Sequence, residues 1–359
     1  MNTAGNYKLS GVAQPVDVGS MLDQMCEHFL EHAEVRRSGD TALLKSEEGV
    51  ASLRVEQGRI LIELDCPSEQ ALQMSRTSIA EHMFYFAGDE PFDLKWSGTQ
   101  RTVPVSNLHY VTVVSAEDVT PLMRRVRFSC DDVAPFIGGD MHVRLMVPPA
   151  GRTPVWPSIR DDGRIGWPKG DDALLVRAYT IRAVDVERGE LLVDFVQHPA
   201  PGVSTPGADF ARDAKPGMKA AFMGPGSGHL PDASSIFLAG DESALPAIAR
   251  IIAEVPAGTR LQALIEVADP AEEQPLPTKG TLDLRWLHRS AYPAGEKGSF
   301  AEAIKTQLAA IDEATFVWVA CEKEDVRAAR AFLRSRGRDR RRMYVAWYWE
   351  REPGSHDEE

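Results

Sequence analysis

The feature that most constrains this chain is a change of apolar period along its length. From residue 108 to residue 223 the sequence reads as short strands, with no strong helical period before about residue 206. Candidate strands are 108–115, 123–130, 141–147, 174–184, 191–197 and 218–223, with glycine and proline in the gaps. Short strands between turn signals predict a small antiparallel barrel. Lys215-Pro216-Gly217 and Gly224-Pro225-Gly226 set the backbone angles of its closing turns. From Ile236 onward the pattern changes, and strands at 236–240, 261–267, 282–287, 316–320 and 343–349 alternate with helices at 245–255, 300–308 and 325–336. That order predicts a mostly parallel sheet, with ligands at the carboxyl ends of its strands.

Ahead of the barrel, residues 15–98 read as a separate small α+β domain. A helix fits 21–35, strands fit 51–55 and 58–64, and Pro67 and Ser68 open a second helix that ends near Phe86. Residues 99–106 form a polar, aperiodic linker. The expected domains are therefore 15–98, 107–232 and 233–350. Inside the first helix, His28-Phe29-Leu30-Glu31-His32 matches H-x-x-E-H, and two histidines four apart lie on one helical face. A catalytic zinc needs a third protein ligand, and His82 is the only other histidine of this domain. The favoured reading is a polar helix edge, with no metal assigned. A weaker metal or haem role for His28, His32 and His82 stays open.

Composition sets outer bounds. The chain has 359 residues and a net charge of −13, which speaks against general affinity for nucleic acid. Cys26, Cys66, Cys130 and Cys321 are too scattered for a zinc finger, a CxxC redox pair or an iron–sulfur cluster. No apolar run approaches the roughly 20 residues of a membrane span, and the N-terminus has no secretory pattern, so a cytoplasmic protein is expected. The oligomeric state is not fixed by the sequence.

One strand carries the chemistry: Arg177-Ala178-Tyr179-Thr180-Ile181-Arg182. Alternation puts Arg177, Tyr179 and Ile181 on one face and Thr180 and Arg182 on the other. An arginine can grip a diphosphate bidentately, an aromatic ring can stack on a heterocycle, and a hydroxyl can reach a ring nitrogen. The stretch resembles the R-x-Y-T-x-R signature of the siderophore-interacting proteins, FAD-containing ferric-siderophore reductases related to the ferredoxin reductases. Asp194-Phe195-Val196-Gln197-His198 resembles that family's D-F-V-x-H. Ala239-Gly240-Asp241-Glu242-Ser243-Ala244-Leu245-Pro246-Ala247 resembles its A-G-D-E-T-A-L-P-A. Residues 15–98 resemble an uncharacterised domain found alone or fused in front of such proteins.

The resemblance implies an antiparallel β-barrel FAD-binding domain and an α/β NAD(P)-binding domain behind the small α+β domain. It implies that Arg177, Ala178, Tyr179, Thr180, Arg182, His198, Ser204, Thr205, Gly207 and Ala208 hold FAD. It places NAD(P)H, the electron donor, near Asp241, Glu242 and Ser243, which also suit a helix N-terminus as caps. In Thr205-Pro206-Gly207-Ala208-Asp209-Phe210-Ala211, Ala208 stands where the family has serine and Phe210 where it has tryptophan. Ser204 and Thr205 offer substitute hydroxyls, and backbone N–H groups at a helix start can cradle a phosphate without them. The ferric siderophore would be the substrate, and an anionic one would need local positive charge. Arg124, Arg125, Arg144 and Arg289 are the candidates to supply it. Two alternatives stay open: a protein that binds flavin or an iron chelate without turnover, and a flavin reductase with another acceptor.

Overall fold

A computed structural model of the chain describes residues 7–30, 33–98, 103–197, 205–292 and 300–351. It divides into two compact units, Met1–Leu108 with Pro149–Leu174, and His109–Pro148 with Leu175–Glu359. The N-terminal elements are β1 (Tyr7–Gln14), α1 (Val18–Phe29), β2 (Glu34–Ser38), β3 (Thr41–Ser46), β4 (Gly49–Glu56), β5 (Arg59–Cys66), α2 (Glu69–Ala87) and β6 (Asp93–Trp96). Then come β7 (Val103–Pro104), β8 (Leu108–Thr120), β9 (Met123–Cys130), β10 (His142–Val147), β11 (Ser158–Ile159), β12 (Ile165–Gly166), β13 (Leu175–Asp185) and β14 (Glu190–Val196). The chain continues through α3 (Pro206–Asp213), β15 (Lys219–Met223), β16 (Ser235–Gly240), α4 (Leu245–Glu254), β17 (Arg260–Val267) and β18 (Thr281–His288). It closes with α5 (Phe300–Ala310), β19 (Phe316–Glu322), α6 (Lys323–Ser335) and β20 (Met343–Trp349).

In the first unit, six antiparallel strands run in the order β2-β3-β4-β5-β1-β6. Ile60, Ile62, Leu64 and Cys66 alternate inward along β5 and join one core with Met21, Leu22, Met25 and Phe29 of α1 and Ile79 and Met83 of α2. Asp17 caps α1 by accepting from the Ser20 N–H, and Ser68 caps α2 by accepting from the Ala71 N–H. The helix expected over 21–35 stops at Phe29, and Glu34–Ser38 is an edge strand. Beyond Leu30 the apolar stripe ends, and exposed Glu34, Arg36 and Arg37 alternate with half-buried Val35. Strand β1 begins at Tyr7, ahead of the expected boundary at residue 15. Its Gly11 lies under Trp96, where an added Cβ would come within 2.7 Å of the ring. The stretch 99–106, expected as a polar, aperiodic linker, contributes β7, which pairs with β11 in the three-stranded sheet β12-β11-β7.

In the second unit, β10-β13-β14-β9-β8-β15 form a closed barrel. The expected six strands are present. Val126, Phe128, Leu145, Ile181, Val193, Phe195 and Phe222 fill the interior. Behind it, β18-β17-β16-β19-β20 form a parallel sheet. Glu272 ties the two parts together by accepting from the Leu122 N–H (2.9 Å) and the Thr120 hydroxyl (2.5 Å). Helix α4 is buried almost throughout, because it packs against β16 on one side and β13 on the other. Among the described residues, no helix is long and apolar enough to cross a membrane.

Candidate functional site

The strand with Arg177, Tyr179 and Thr180 is β13. It pairs with β10, placing Arg177 opposite Leu145, Tyr179 opposite Val143 and Thr180 opposite His142. Ile181 is buried in the barrel and Tyr179 packs against the same core, so this face points inward. Arg177 continues that face to the end of the barrel, where it is exposed and donates to the Val176 carbonyl at 2.8 Å. Among the described residues it forms no ion pair. The Tyr179 ring lies 4.3 Å from that of Phe195, and burial pushes its hydroxyl up to about 12. The phenol therefore stays protonated at neutral pH. Thr180, on the other face, is only 5% exposed. The ladder to β14 slips between Ile181 and Ala183, which re-aims Arg182.

Helix α3 packs against β9, β13 and β14. Pro206 supplies its first turn, and Thr205 at the cap position makes no side-chain capping bond. Phe210 anchors it between Phe128 and Phe195, with ring centroids at 6.3 and 6.0 Å. The residue that differs from the family's tryptophan thus serves as a core anchor. Arg124 Nε donates to the Ala211 carbonyl at 2.7 Å. Gly207 faces Tyr179 so closely that a Cβ there would fall 1.8 Å from the phenol oxygen. Only glycine lets the helix start approach the ring. Gly207 and Ala208 are buried. His198 and Ser204 lie outside the described residues.

At the carboxyl end of β16, Asp241 differs from its expected position facing a cleft. It is 3% exposed, and burial raises its carboxyl to about 6. Oδ1 accepts from the Ser243 N–H at 2.9 Å, and Oδ2 accepts from the Trp349 indole at 2.7 Å. Both oxygens are committed to holding the turn. Glu242 and Ser243 are half-buried beside it. Arg289, expected as an available cation, is held by Glu242 at 2.8 Å and by Glu266 at 3.4 Å. Cys321 is fully buried, and burial followed by nearby Asp241 and Asp325 pushes its thiol up.

Glu266 gives this cluster a pH dependence. Burial, opposed by Arg289, raises its carboxyl from 4.5 to about 7. A raised carboxyl stabilises the fold fully below its unfolded value and loses that contribution as pH rises through the folded one. Glu266→Gln is therefore expected to gain stability relative to the parent chain as pH rises from about 4.5 to about 7. The slope should be at most ~1.4 kcal/mol per pH unit, the value for one proton. Urea midpoints measured across that range check it, and a pH-independent difference would refute it.

The remaining proposed substrate arginines are also placed. Arg125 makes a bidentate pair with Asp194, at 2.6 and 2.7 Å, because the β9–β14 register sets them opposite one another. Asp194 is 4% exposed, so its charge demands that partner. Arg182 lies 4.0 Å from the same carboxylate. Arg124 also pairs with Asp118 at 2.6 Å. Arg144 alone of the four is exposed and without an ion pair among the described residues. In the N-terminal unit, the His28 and His82 ring centroids lie 4.2 Å apart with the planes tilted by 36°, while Glu31 and His32 lie outside the described residues. Among the described residues no cluster of three or more His, Cys, Asp or Glu is arranged to hold a metal ion.

Two polar residues escaped the sequence reading, the half-buried His142 and the buried Arg250. His142 sits between the Tyr348 hydroxyl, at 2.7 Å from Nε2, and the Ser227 hydroxyl, at 3.1 Å from Nδ1. Burial, with Arg250 nearby, lowers it to about 4, so it is neutral at ordinary pH. Arg250 on α4 donates to the Ile181 and Phe136 carbonyls.

Comparison with known proteins assigns all three parts of the chain. Residues 112–229 match the siderophore-interacting FAD-binding domain, and residues 233–352 match the siderophore-interacting protein family. Residues 13–97 match a family described as an uncharacterised protein conserved in bacteria. Ferric vibriobactin reductase ViuB of Vibrio cholerae is 30% identical over 214 residues, covering 58% of this chain and 76% of that one. A siderophore utilization protein from T. fusca superposes with a TM-score of 0.56 at 31% identity, over 72% of this chain and 98% of that chain. The siderophore-interacting protein SipS from Aeromonas hydrophila gives 0.55 at 28%, over 68% and 99%. The chain belongs to the siderophore-interacting protein family.

Proposed function

We propose that this protein is an FAD-dependent ferric-siderophore reductase that draws electrons from NAD(P)H. The observation that carries the reading is the barrel end. There, an exposed Arg177 with no ion pair among the described residues, the half-buried Tyr179 two residues along the same strand, and a helix start that only glycine lets approach that ring all lie in the segment matching the FAD-binding domain. The name of the V. cholerae relative supports a ferric siderophore as acceptor.

The residues fit the cofactor. Arg177 would bind its diphosphate, helped by the N–H groups that the first turn of α3 leaves without intrahelical partners. Tyr179, braced by Phe195 and kept protonated by burial, would offer a flat apolar wall to the ring system. Ala178 and Thr180 would line the strand, with the Thr180 hydroxyl available to a ring heteroatom. Ser204, Thr205 and His198 would complete the surround. Bound FAD would supply the redox chemistry, two-electron exchange with a nicotinamide and one-electron exchange with Fe(III). Glu242 and Ser243 would meet the nicotinamide donor at the carboxyl ends of the parallel strands. Asp241 would shape that turn without touching the donor. Arg144, not the paired arginines, is the remaining cation for an anionic siderophore. Oxygen ligands hold Fe(II) less tightly than Fe(III), so reduction favours release.

The test is a turnover assay with a ferric siderophore and a ferrous-selective chelator. Ferrous complex should accumulate only when protein, FAD and NADH or NADPH are all present. Protein that binds FAD yet yields no ferrous iron would reduce the function to binding.

A further inference from the structure

Strands β10 and β13 are neighbours, with Val147 opposite Leu175. A tight turn of two to five residues would be enough to join them. The chain instead makes a long excursion, and Pro149–Leu174 belongs to the unit built on the N-terminal sheet. There the N-terminal domain grips it by its backbone. Arg76 of α2, 2% exposed, donates from Nη2 to the carbonyls of Arg160 (3.1 Å) and Asp161 (2.9 Å). The Trp96 indole N–H donates to the next carbonyl, Asp162, at 2.8 Å. Glu81 of α2 accepts from the Ile165 N–H at 2.8 Å. The Arg164 guanidinium lies 3.4 Å over the Phe84 ring and is steadied by Asp162 at 2.8 Å. Gly163, at φ +94, fits so closely that a Cβ would stand 2.9 Å from Trp96 Nε1 and 3.1 Å from Ala80.

These contacts have the character of a binding site for an extended peptide. Three consecutive carbonyls take donors from two buried side chains, and the left-handed glycine lets the chain pass the indole. Burying an arginine is costly unless its donors are used, and Arg76 uses Nη2 on main-chain oxygens. The far limb of the excursion is tied back to the near one by Arg152, which donates to Asp172 at 2.9 Å. Leu175 opens β13 directly after it, two residues before Arg177.

We infer that the N-terminal domain is a clamp for the segment 160–166, and that this clamp sets how tightly the chain holds FAD. The inference rests on the flavin reading of Arg177. A loose excursion would leave the entry to β13 to be ordered at the moment of binding, and that ordering opposes binding. The clamp prepays it.

Two variants of the full-length chain approach the clamp from opposite sides. Arg76→Met removes a gripping side chain. Gly163→Ala substitutes only the gripped segment: its added Cβ presses on Trp96 and Ala80 while every gripping side chain of the N-terminal domain is kept. Amide hydrogen exchange and FAD titration by fluorescence are read on both. Faster exchange at Gly163 and Ile165, unchanged exchange in β8 and β9, and FAD binding about ten-fold weaker are expected. That ratio follows if the strand entry is competent about a tenth of the time. Should Arg76→Met unfold its own domain, Gly163→Ala decides. Unchanged FAD affinity in Gly163→Ala, with or without faster exchange, overturns the clamp while leaving the flavin reading intact. A parent chain that takes up no FAD overturns both.

Discussion

Arg250→Ala is expected to lower the stability of the unit holding the barrel and the parallel sheet by about 3–5 kcal/mol. Arg250 is 1% exposed, and three of its nitrogens are in use. Nη1 donates to Ile181 O at 2.8 Å, Nη2 to Phe136 O at 2.7 Å, and Nε to Glu254 at 2.9 Å. Truncation leaves two buried carbonyls without donors and opens a void beneath α4. Each unpaired group costs roughly 1–3 kcal/mol, so the pair alone reaches most of the expected loss. Ile181 lies in the same strand as Arg177 and Tyr179, so the loss should be accompanied by faster amide exchange along β13. Arg250→Lys should recover only part of it, since one ammonium cannot span both carbonyls in the guanidinium's geometry. Urea unfolding checks the magnitude. A loss below about 1 kcal/mol would mean that water substitutes for the side chain.

Arg177→Ala should act on binding and spare the fold. A charge-assisted contact is worth roughly 1.5–3 kcal/mol, so FAD affinity should fall roughly ten- to hundred-fold. Because Arg177 is exposed and has no ion pair among the described residues, its removal should move stability by less than about 0.5 kcal/mol. Fluorescence titration at limiting FAD, paired with urea unfolding of the FAD-free chain, separates the two effects. Full FAD occupancy in the variant would remove Arg177 from the site.

Much of this architecture was legible because its signals are local. The six barrel strands stand between glycine and proline punctuation, and the buried strand Ile236-Phe237-Leu238-Ala239 announces the parallel sheet. What stayed hidden depends on partners far away in the sequence. Gly11 weakens the strand pattern of β1, and the ring that requires it belongs to Trp96. Arg125 looked available because nothing nearby shows that the β9–β14 register will set it against Asp194. Arg289 looked available because Glu242 and Glu266 reach it only once the parallel strands align. Arg250 left one faint trace, a cation within the apolar run Leu245 to Ile252, where a solvated face should have been. The excursion 149–174 carries no period at all, and its order comes from Arg76, Glu81 and Trp96.

The most direct test of a working flavin in this barrel is an anaerobic NADPH or NADH titration of the FAD-loaded protein, followed at the visible flavin band. Equimolar FAD whose band bleaches with the nicotinamide and returns when a ferric siderophore is added is the predicted result. A chain that retains no FAD, or a band that neither nicotinamide bleaches, would contradict it.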